Sequence, residues 1–220
     1  MKRFEIASLY DLTYTRGDFL ANYTYPWEVL SDLTQLIREL GKTLPKDEFT
    51  EIAPEVWVAN DATIAPNATV QGPCIIDHGA EIRHCAYIRG SALIGKGSVV
   101  GNSTEVKNAL VFDHVQIPHF NYVGDSVLGH RSHMGAGSVC SNVKSDKTLV
   151  SISVDGQKIP TGRKKFGAML GDGVEVGCNS VLCPGTVIGK NATVYPLSRV
   201  RGYVPENSIF KNEETTIQKQ

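Results

Sequence analysis

The feature that most constrains this chain is a repeat of six residues. From Val58 the sequence divides into ten consecutive hexads: VANDAT, IAPNAT, VQGPCI, IDHGAE, IRHCAY, IRGSAL, IGKGSV, VGNSTE, VKNALV and FDHVQI. An apolar residue leads every hexad, and the fifth position is mostly small. A period of six matches neither the 3.6 residues of a helical turn nor the two-residue alternation of a strand. Repetition at a fixed period is typical of a solenoid, here one with three short strands in each coil.

The hexads resemble those of the hexapeptide-repeat family, whose members are left-handed parallel β-helices. The repeat is interrupted after residue 117 and between Cys140 and Met169, and it resumes as LGDGVE from Leu170. About eighteen hexads at three per coil predict about six coils. We therefore expect an all-β protein, a single-stranded left-handed parallel β-helix over residues 51–210. Residues 211–220 form a polar tail that is expected to fray.

Residues 1–50 lack the repeat and are predicted to form a cap segment. Apolar residues recur at helical spacing between Val29 and Leu40, and Gly41 follows as a stop signal. This pattern predicts one amphipathic α-helix that covers the open end of the solenoid, because an uncovered end would expose strand edges. The tyrosines that precede the helix, together with Trp27, are expected to pack on the first coil.

Composition narrows the functional classes. The net charge of −1 makes a basic nucleic-acid-binding domain an unlikely class, and no apolar run approaches the length of a membrane-spanning helix. The N-terminus meets Asp and Thr before a signal-peptide core could form. The five cysteines include no CxxC pair, so reduced thiols in a cytoplasm are the simplest interpretation. Cys74, Cys85 and Cys140 are expected to be buried thiols.

Function is best sought where the repeat breaks. The first break, residues 117–129, contains His119, Tyr122 and Asp125. The second break, a loop at about 140–168, contains six Lys or Arg residues. Long loops in compact domains are usually functional or disordered. Two interpretations of this loop stay open at this point: a solvated excursion, or an arm that reaches a neighbouring subunit and meets a phosphate.

The stretch EVKNALVFDHVQIPHFNYVGDSVLGHRSHMGAGSVCSN permits a more specific comparison. From about Arg89 to about Pro205, the chain resembles the acetyltransferase domain of the bifunctional glucosamine-1-phosphate N-acetyltransferase/N-acetylglucosamine-1-phosphate uridylyltransferase. It also resembles the C-terminal domains of related sugar-phosphate nucleotidylyltransferases. The H-x-x-Y-x-G-D motif followed by G-A-G carries this resemblance. It implies a homotrimer with its sites between subunits.

The resemblance assigns roles to individual residues. His119 matches the catalytic base, and Asn142 matches an Asn near the reacting amine. Five residues match or stand at sugar-phosphate contacts: Arg89, Lys107, Tyr122, His133 and Lys165. Two residues, Ala136 and Cys178, fall where the family contacts acetyl-CoA. The implied activity is acetyl transfer from acetyl-CoA to the amine of an amino-sugar phosphate resembling glucosamine 1-phosphate.

These residue types suit that chemistry. A sugar ammonium becomes nucleophilic only after losing a proton, and a His near neutral pKa can accept it. Lys and Arg suit the phosphate, and backbone N–H groups of Gly135–Gly137 could stabilise the thioester oxyanion. A thioester is already activated, so no metal is expected to be required.

The chain departs from the family at several positions. His133 replaces Asn, Cys178 replaces Ser, Pro196 replaces Ala, and Val143 follows Asn142 where the family has Tyr. The loop before Lys165 is longer by roughly one coil. No Gly-rich nucleotide loop is present, so we expect no uridylyltransferase domain and no pyrophosphorylase reaction.

Two alternatives remain open at this stage. His78, His114 and His119 could form the three-histidine zinc site of a γ-class carbonic anhydrase, because His78 and His114 are two 18-residue coils apart. Alternatively, the substitutions at His133 and Cys178 are those of a non-catalytic assembly or regulatory subunit that keeps the trimer without turnover. His130 is expected to occupy a solvated corner.

Overall fold

The computed structural model describes residues 2–219 and is mostly β-structure, arranged as a solenoid with few helices. Successive short strands fall in turn on three walls, and the chain climbs by one coil every 16 to 18 residues, except for one turn of 42 residues that contains the loop at 140–168. The predicted solenoid class is confirmed. The handedness of the coil remains a prediction.

Wall 1 and wall 2 each stack eight parallel strands. The strands of wall 1 are Val56–Ala59, Cys74–Ile76, Ala92–Ile94, the end of Glu105–Val111, the end of Tyr122–Leu128, Ala168–Leu170, Thr186–Ile188 and Tyr203–Val204. The strands of wall 2 are Thr63–Ile64, Glu81–Ile82, Val99–Asn102, Gln116–His119, His133–Met134, Glu175–Val176, Thr193–Val194 and Ser208–Asn212.

Wall 3 stacks seven strands and shares two long strands with wall 1. Its strands are Thr69–Val70, Tyr87–Ile88, the start of Glu105–Val111, the start of Tyr122–Leu128, Val139–Cys140, Val181–Leu182 and Arg199–Val200. With eight levels on two of the walls, the solenoid has more turns than the six that the hexads predict. The extra levels come from residues 118–127, which coil although they break the hexads, and from strands beyond Val200. The loop at 140–168 adds no level, because Val127 and Leu128 pair directly with Met169 and Leu170.

The leading residues of the hexads form the core, as the repeat predicts. The column Ile76, Ile94, Val111, Leu128, Leu170, Ile188 is fully buried on wall 1. Val111, rather than the predicted Phe112, pairs with Ile94. The coil is therefore one residue short before Phe112, and the repeat slips earlier than residue 117.

Antiparallel strands cover both ends of the solenoid. Phe49–Ala53 pairs antiparallel with Val56–Ala59 at the first coil. Thr215–Gln218 pairs antiparallel with Ser208–Asn212 at the last coil, so the expected frayed tail is wrong. Each hairpin occupies an edge that would otherwise expose unpaired N–H and C=O groups.

The N-terminal strap, defined here as residues 2–43, lies along wall 1 rather than over an end. It contains short 3₁₀ segments at Lys2–Phe4, Leu12–Tyr14, Asp18–Asn22 and Glu28–Ser31, with α-helices at Ile6–Leu9 and Leu33–Thr43. Phe4 packs edge-on against Tyr203 in the last coil, with 5.1 Å between the ring centroids. Arg16 forms a two-point ion pair with the buried Asp77 near the other end.

The predicted helix exists but starts later and does not end at Gly41. A Cβ on Gly41 would stand 2.3 Å from the Trp57 ring, so glycine permits the helix to pack closely on the first coil. The aromatic residues before the helix are spread along the strap instead of packing on the first coil. Trp27, for example, stacks on Phe166 at 5.6 Å.

The loop at 140–168 is not a free excursion, because it folds back on its own chain. Ser151–Val154 and Gln157–Pro160 form an antiparallel hairpin. Ile152 at its centre is fully buried in the core cluster of this same chain. Among residues 2–219, no helix is long and apolar enough to cross a membrane.

Candidate active site

Two shortened corners between walls 3 and 1 build the centre of the site. In a regular coil this corner contains two residues, such as Gly90 and Ser91. In the next two coils it contains one residue, Asn108 and then Asp125. Both residues have positive φ, 47° and 50°, a conformation that Asn and Asp tolerate better than most side chains. The shortened corners stack Asn108 and Asp125 directly above one another.

Asp125 is the buried carboxylate that organises the corner. It accepts hydrogen bonds from the Nδ2 of Asn108 at 2.8 Å and from the Nδ2 of Asn142 at 2.6 Å. Asn142 also donates to the Oη of Tyr122 at 3.1 Å. The structure therefore brings Tyr122 and Asn142, two of the predicted site residues, into one network.

Three predicted phosphate contacts lie on wall 3 beside this network. Lys107 lies opposite Gly124 in the next strand and one level above Arg89, and Lys165 returns to it from the long loop. Burial lowers the pKa of Lys107 below the usual lysine value, and the neighbouring Lys165 and Arg89 lower it further. This close set of like charges is the arrangement that an anion would stabilise.

Three further residues of the site, Glu105, Arg163 and Asn108, were not predicted from the sequence. Glu105 accepts a hydrogen bond from the Nη1 of Arg89 at 2.7 Å, and this ion pair raises the pKa of Arg89. Burial lowers the pKa of Arg163, whose Nε donates to the carbonyl of Lys165. The signal that could have revealed Asn108 is its spacing, because Asn108, Asp125 and Asn142 are each 17 residues apart.

His119, Ala136 and Cys178 form a second group at the opposite edge of wall 3. His119 ends a wall 2 strand, and the N–H of Gly137 donates to its carbonyl at 3.0 Å. The N–H of Asn179 donates in turn to the carbonyl of Ala136. His119, Ala136 and Cys178 therefore occupy this edge in three successive coils, with His119 and Cys178 exposed.

Among residues 2–219, no hydrogen bond or ion pair joins the side chain of His119 to Arg89, Lys107 or Lys165. The edge of wall 3 that carries His119 and the corner at Asp125 are separated by the strand residues Tyr122–Gly124. At about 3.3 Å per residue, this separation is about 10–15 Å. His133 lies apart from both groups, on wall 2, where its Nδ1 is 2.8 Å from Glu175 Oε2. The structure therefore divides the predicted residues into a cationic group, a histidine edge and an isolated His133.

The three histidines of the zinc alternative do not meet within one chain. His78 lies at a corner between walls 1 and 2, with its ring nitrogens near Asp61 Oδ1 at 2.8 Å and Glu48 Oε2 at 3.2 Å. His114 lies at the same corner and contacts the ring of His130 edge-on, with centroids 5.6 Å apart. Over residues 2–219, no group of three or more His, Cys, Asp or Glu side chains is arranged to hold a metal ion.

Two smaller predictions are wrong. His130 is not a solvated corner, because the ring of Tyr14 stacks on it at 3.8 Å and its Nδ1 contacts the carbonyl of Asp113. Cys85 is exposed, whereas Cys74 and Cys140 are buried as expected. Burial raises the pKa of both buried thiols to about 12, so neither is a nucleophile at neutral pH.

A cavity of about 650 Å³ lies between the strap and Lys190. None of the predicted site residues lines it. Its chemistry does not single out a ligand, and the polar network at Asp125 is the better candidate for a site.

Comparison with known proteins supports the resemblance predicted from the sequence. The family model of the GMPPB C-terminal domain matches residues 70–176. A bifunctional sugar-1-phosphate nucleotidylyltransferase/acetyltransferase of Sulfurisphaera tokodaii is 38% identical over 107 residues, which are 49% of this chain and 27% of that protein. The bifunctional protein GlmU of Methanococcus vannielii is 32% identical over 117 residues, 53% of this chain and 28% of that protein.

The chain thus resembles the C-terminal domains of sugar-1-phosphate nucleotidylyltransferases and acetyltransferases, as the sequence predicts. It spans little more than a quarter of the length of those relatives. Among solved structures, the polySia-specific acetyltransferase NeuO has a TM-score of 0.48 at 13% identity, covering 75% of this chain and 76% of that one. A likeness at that level carries no argument about function.

Proposed function

We propose that this protein is an acetyl-CoA-dependent N-acyltransferase that acts on an amino-sugar phosphate resembling glucosamine 1-phosphate. The observation that carries the proposal is the convergence of Arg89, Lys107 and Lys165 beside the Asp125 network. Burial and the two neighbouring cations lower the pKa of Lys107. A bound phosphate would offset the repulsion among the three cations and accept charge-assisted hydrogen bonds from them. The similarity to an acetyltransferase-bearing relative supplies the reaction type.

In this proposal the phosphate binds the cationic group and the sugar spans wall 3 toward the histidine edge. Tyr122 and Asn142 contact the sugar near the reacting amine, and their network with Asp125 fixes their orientation. His119 accepts the proton from the amine as it attacks the thioester carbon. Acetyl-CoA lies along the edge formed by Ala136 and Cys178, the coils above His119.

A homotrimer in a cytoplasm belongs to the same proposal. Phe120 and Leu197 are large apolar residues that are 64% and 79% exposed at the edge that carries His119. Both have positive φ, 53° and 61°, which bulky residues rarely adopt. Strained and exposed apolar residues on this edge favour a contact with a second subunit. Light scattering that gives a stable monomer at micromolar concentration would contradict the shared site.

The test is the substitution His119→Ala, measured by release of CoA thiol with amino-sugar 1-phosphates as acceptors. Loss of a positioned base is expected to lower kcat by about 10²–10⁴-fold. Acetyl-CoA binding should survive, because the coenzyme is held by other coils.

Other outcomes identify the alternatives. A protein that binds acetyl-CoA but turns over no amino-sugar phosphate would be the non-catalytic subunit. Zinc in the unmodified protein that is lost in His119→Ala would support a metal site shared between subunits. Metal-free protein whose acetyl transfer is unaffected by His119→Ala would show that the proposed mechanism is wrong.

A further inference from the structure

The outward positions of wall 3 form one column that continues beyond the candidate active site. The column runs through Arg89, Lys107, Gly124, Ser141, Cys183 and Arg201, one residue in each coil. Stacked strands are about 4.8 Å apart, so Arg201 lies about 19 Å above Lys107. The column therefore carries two cations, Arg89 and Lys107, in its lower part and one, Arg201, at its upper end.

The hairpin of the long loop forms a second side beside the upper part of this column. Its two faces differ in chemistry because side chains alternate along a strand. Ile152 pairs with Ile159 across the hairpin, and both belong to the core cluster or pack against it. Ser153 pairs with Lys158 on the opposite, polar face.

A groove of about 430 Å³ separates this polar face from the column. Its lining combines three cations, one carboxylate, several serines and a few apolar groups: Ser141, Val143, Lys144, Ser145, Asp146, Ser151, Ser153, Lys158, Cys183, Pro184 and Arg201. Asp146 is paired with Lys144 at 3.3 Å. Among residues 2–219, neither Lys158 nor Arg201 forms an ion pair within 4 Å, so the lining keeps a net positive charge.

We propose that this groove binds a phosphate group of a small molecule, at a site separate from the Lys107 group. Lys158 and Arg201 approach from opposite sides of the groove and would supply charge-assisted hydrogen bonds. The serine hydroxyls of residues 141, 145, 151 and 153 add donors of the kind that phosphate oxygens accept. The hairpin lies within the loop at 140–168, which interrupts the repeat. This loop therefore supplies one side of the proposed site.

A phosphate could come from a free inorganic or sugar phosphate, or from the phosphate of a nucleotide. Calorimetric titration of the full chain at low ionic strength with inorganic phosphate and with adenosine 3′,5′-bisphosphate distinguishes these sources. Binding of both indicates a site for phosphate itself, and binding of the bisphosphate alone indicates a nucleotide. This readout involves no acetyl transfer, so its failure is distinct from failure of the proposed function.

The decisive variant is the double substitution Lys158→Gln and Arg201→Gln. Both side chains are exposed, so the fold should survive, which a melting curve checks. We expect the dissociation constant of the bound probe to rise about 10-fold or more, the effect of losing charge-assisted contacts. Lys211→Gln, an exposed lysine outside the groove, is the matched control and should leave binding unchanged.

Lys107→Gln separates this groove from the cationic group below it. It should leave the groove's binding intact. The proposal is overturned if the unmodified protein binds neither probe or if the double variant binds as tightly as the unmodified protein. It is equally overturned if only Lys107→Gln abolishes binding.

Discussion

Wall 1 and wall 3 are built by the same coils, yet their outward positions have opposite chemistry. On wall 1 the outward column is Ile75, Leu93, Leu110, Val127, Met169 and Val187, and every member is fully buried. On wall 3 the corresponding column carries Arg89, Lys107, Ser141 and Arg201. The inward residues repeat almost without change on every wall. They therefore specify the solenoid but do not predict the surface chemistry of each wall.

The difference between the walls follows from what covers them. The strap lies on wall 1 and shields its apolar column, with Gly17 so close that a Cβ there would contact Leu110 at 3.0 Å. Asp172 fixes the strap midway, accepting a hydrogen bond from the N–H of Asp11 at 2.7 Å. On wall 3 below the hairpin, Arg89 is exposed and Lys107 is partly exposed, so both side chains remain available to ligands.

The largest expected effect comes from breaking wall 1. Leu110→Ala should lower the free energy of unfolding by about 2–5 kcal/mol, because it removes a buried side chain and leaves a cavity under the strap. Chemical denaturation measures this change. Leu149→Ala is the control: that leucine is 59% exposed on the long loop, and the loss there should stay within about 0.5 kcal/mol. Equal losses at the two positions would contradict the strap's role.

The second effect concerns wall 3 and rests on the proposed function. Lys165→Ala should raise the acceptor KM by about 10-fold or more, equivalent to about 1.5–3 kcal/mol for one charge-assisted contact. Stability should not change, because Lys165 is exposed. Lys164→Ala, its exposed neighbour, should leave KM unchanged. An unchanged KM in Lys165→Ala would mean that this lysine contacts only solvent.

The hexads predict the solenoid because its inward positions repeat. They place the first break at residue 117, whereas the structure places it before Phe112, because Val111 and Phe112 are both apolar and either could lead a hexad. The hexads cannot predict the path of the strap. The helix of the strap has an apolar stripe whether it covers an end or a wall of the solenoid. The apolar column on wall 1 that the strap covers lies within the hexads, so the sequence does not mark it as a surface that needs a cover. Gly41 illustrates the ambiguity, because a glycine at this place can either end a helix or allow it to pack closely on a neighbour. The sequence favoured the first role, whereas the structure shows the second, a close contact with Trp57.

The sequence predicted several residues of the candidate site, but it predicted their arrangement in space less well. The spacing of Arg89 and Lys107 by one coil places them together by the repeat alone. The approach of Lys165 depends on the path of a loop that has no repeat. The sequence also suggested His78 and His114 as partners of His119, and the structure shows that the first two share a corner that the third does not.

The smallest expected effect tests whether the exposed wall is arranged for binding rather than for stability. Burial and the neighbouring cations lower the pKa of Lys107 in the folded state. A lysine whose folded pKa lies below its unfolded value opposes folding while it is protonated, since the unfolded chain holds the proton more tightly. Removing the charge should therefore stabilise the ligand-free protein at neutral pH.

Lys107→Gln is accordingly expected to raise the melting temperature at pH 7 only slightly, because solvent screens most of the repulsion at a partly exposed side chain and Asp125 offsets part of it. The gain should shrink as the pH rises and disappear above the unfolded lysine pKa of about 10.4. Melting curves recorded by circular dichroism across this range measure it, with Lys211→Gln as the control. The same substitution should weaken acceptor binding. A fall in melting temperature at pH 7 would show that Lys107 stabilises the fold and that its electrostatic attraction to Asp125 outweighs the repulsion from Lys165 and Arg89.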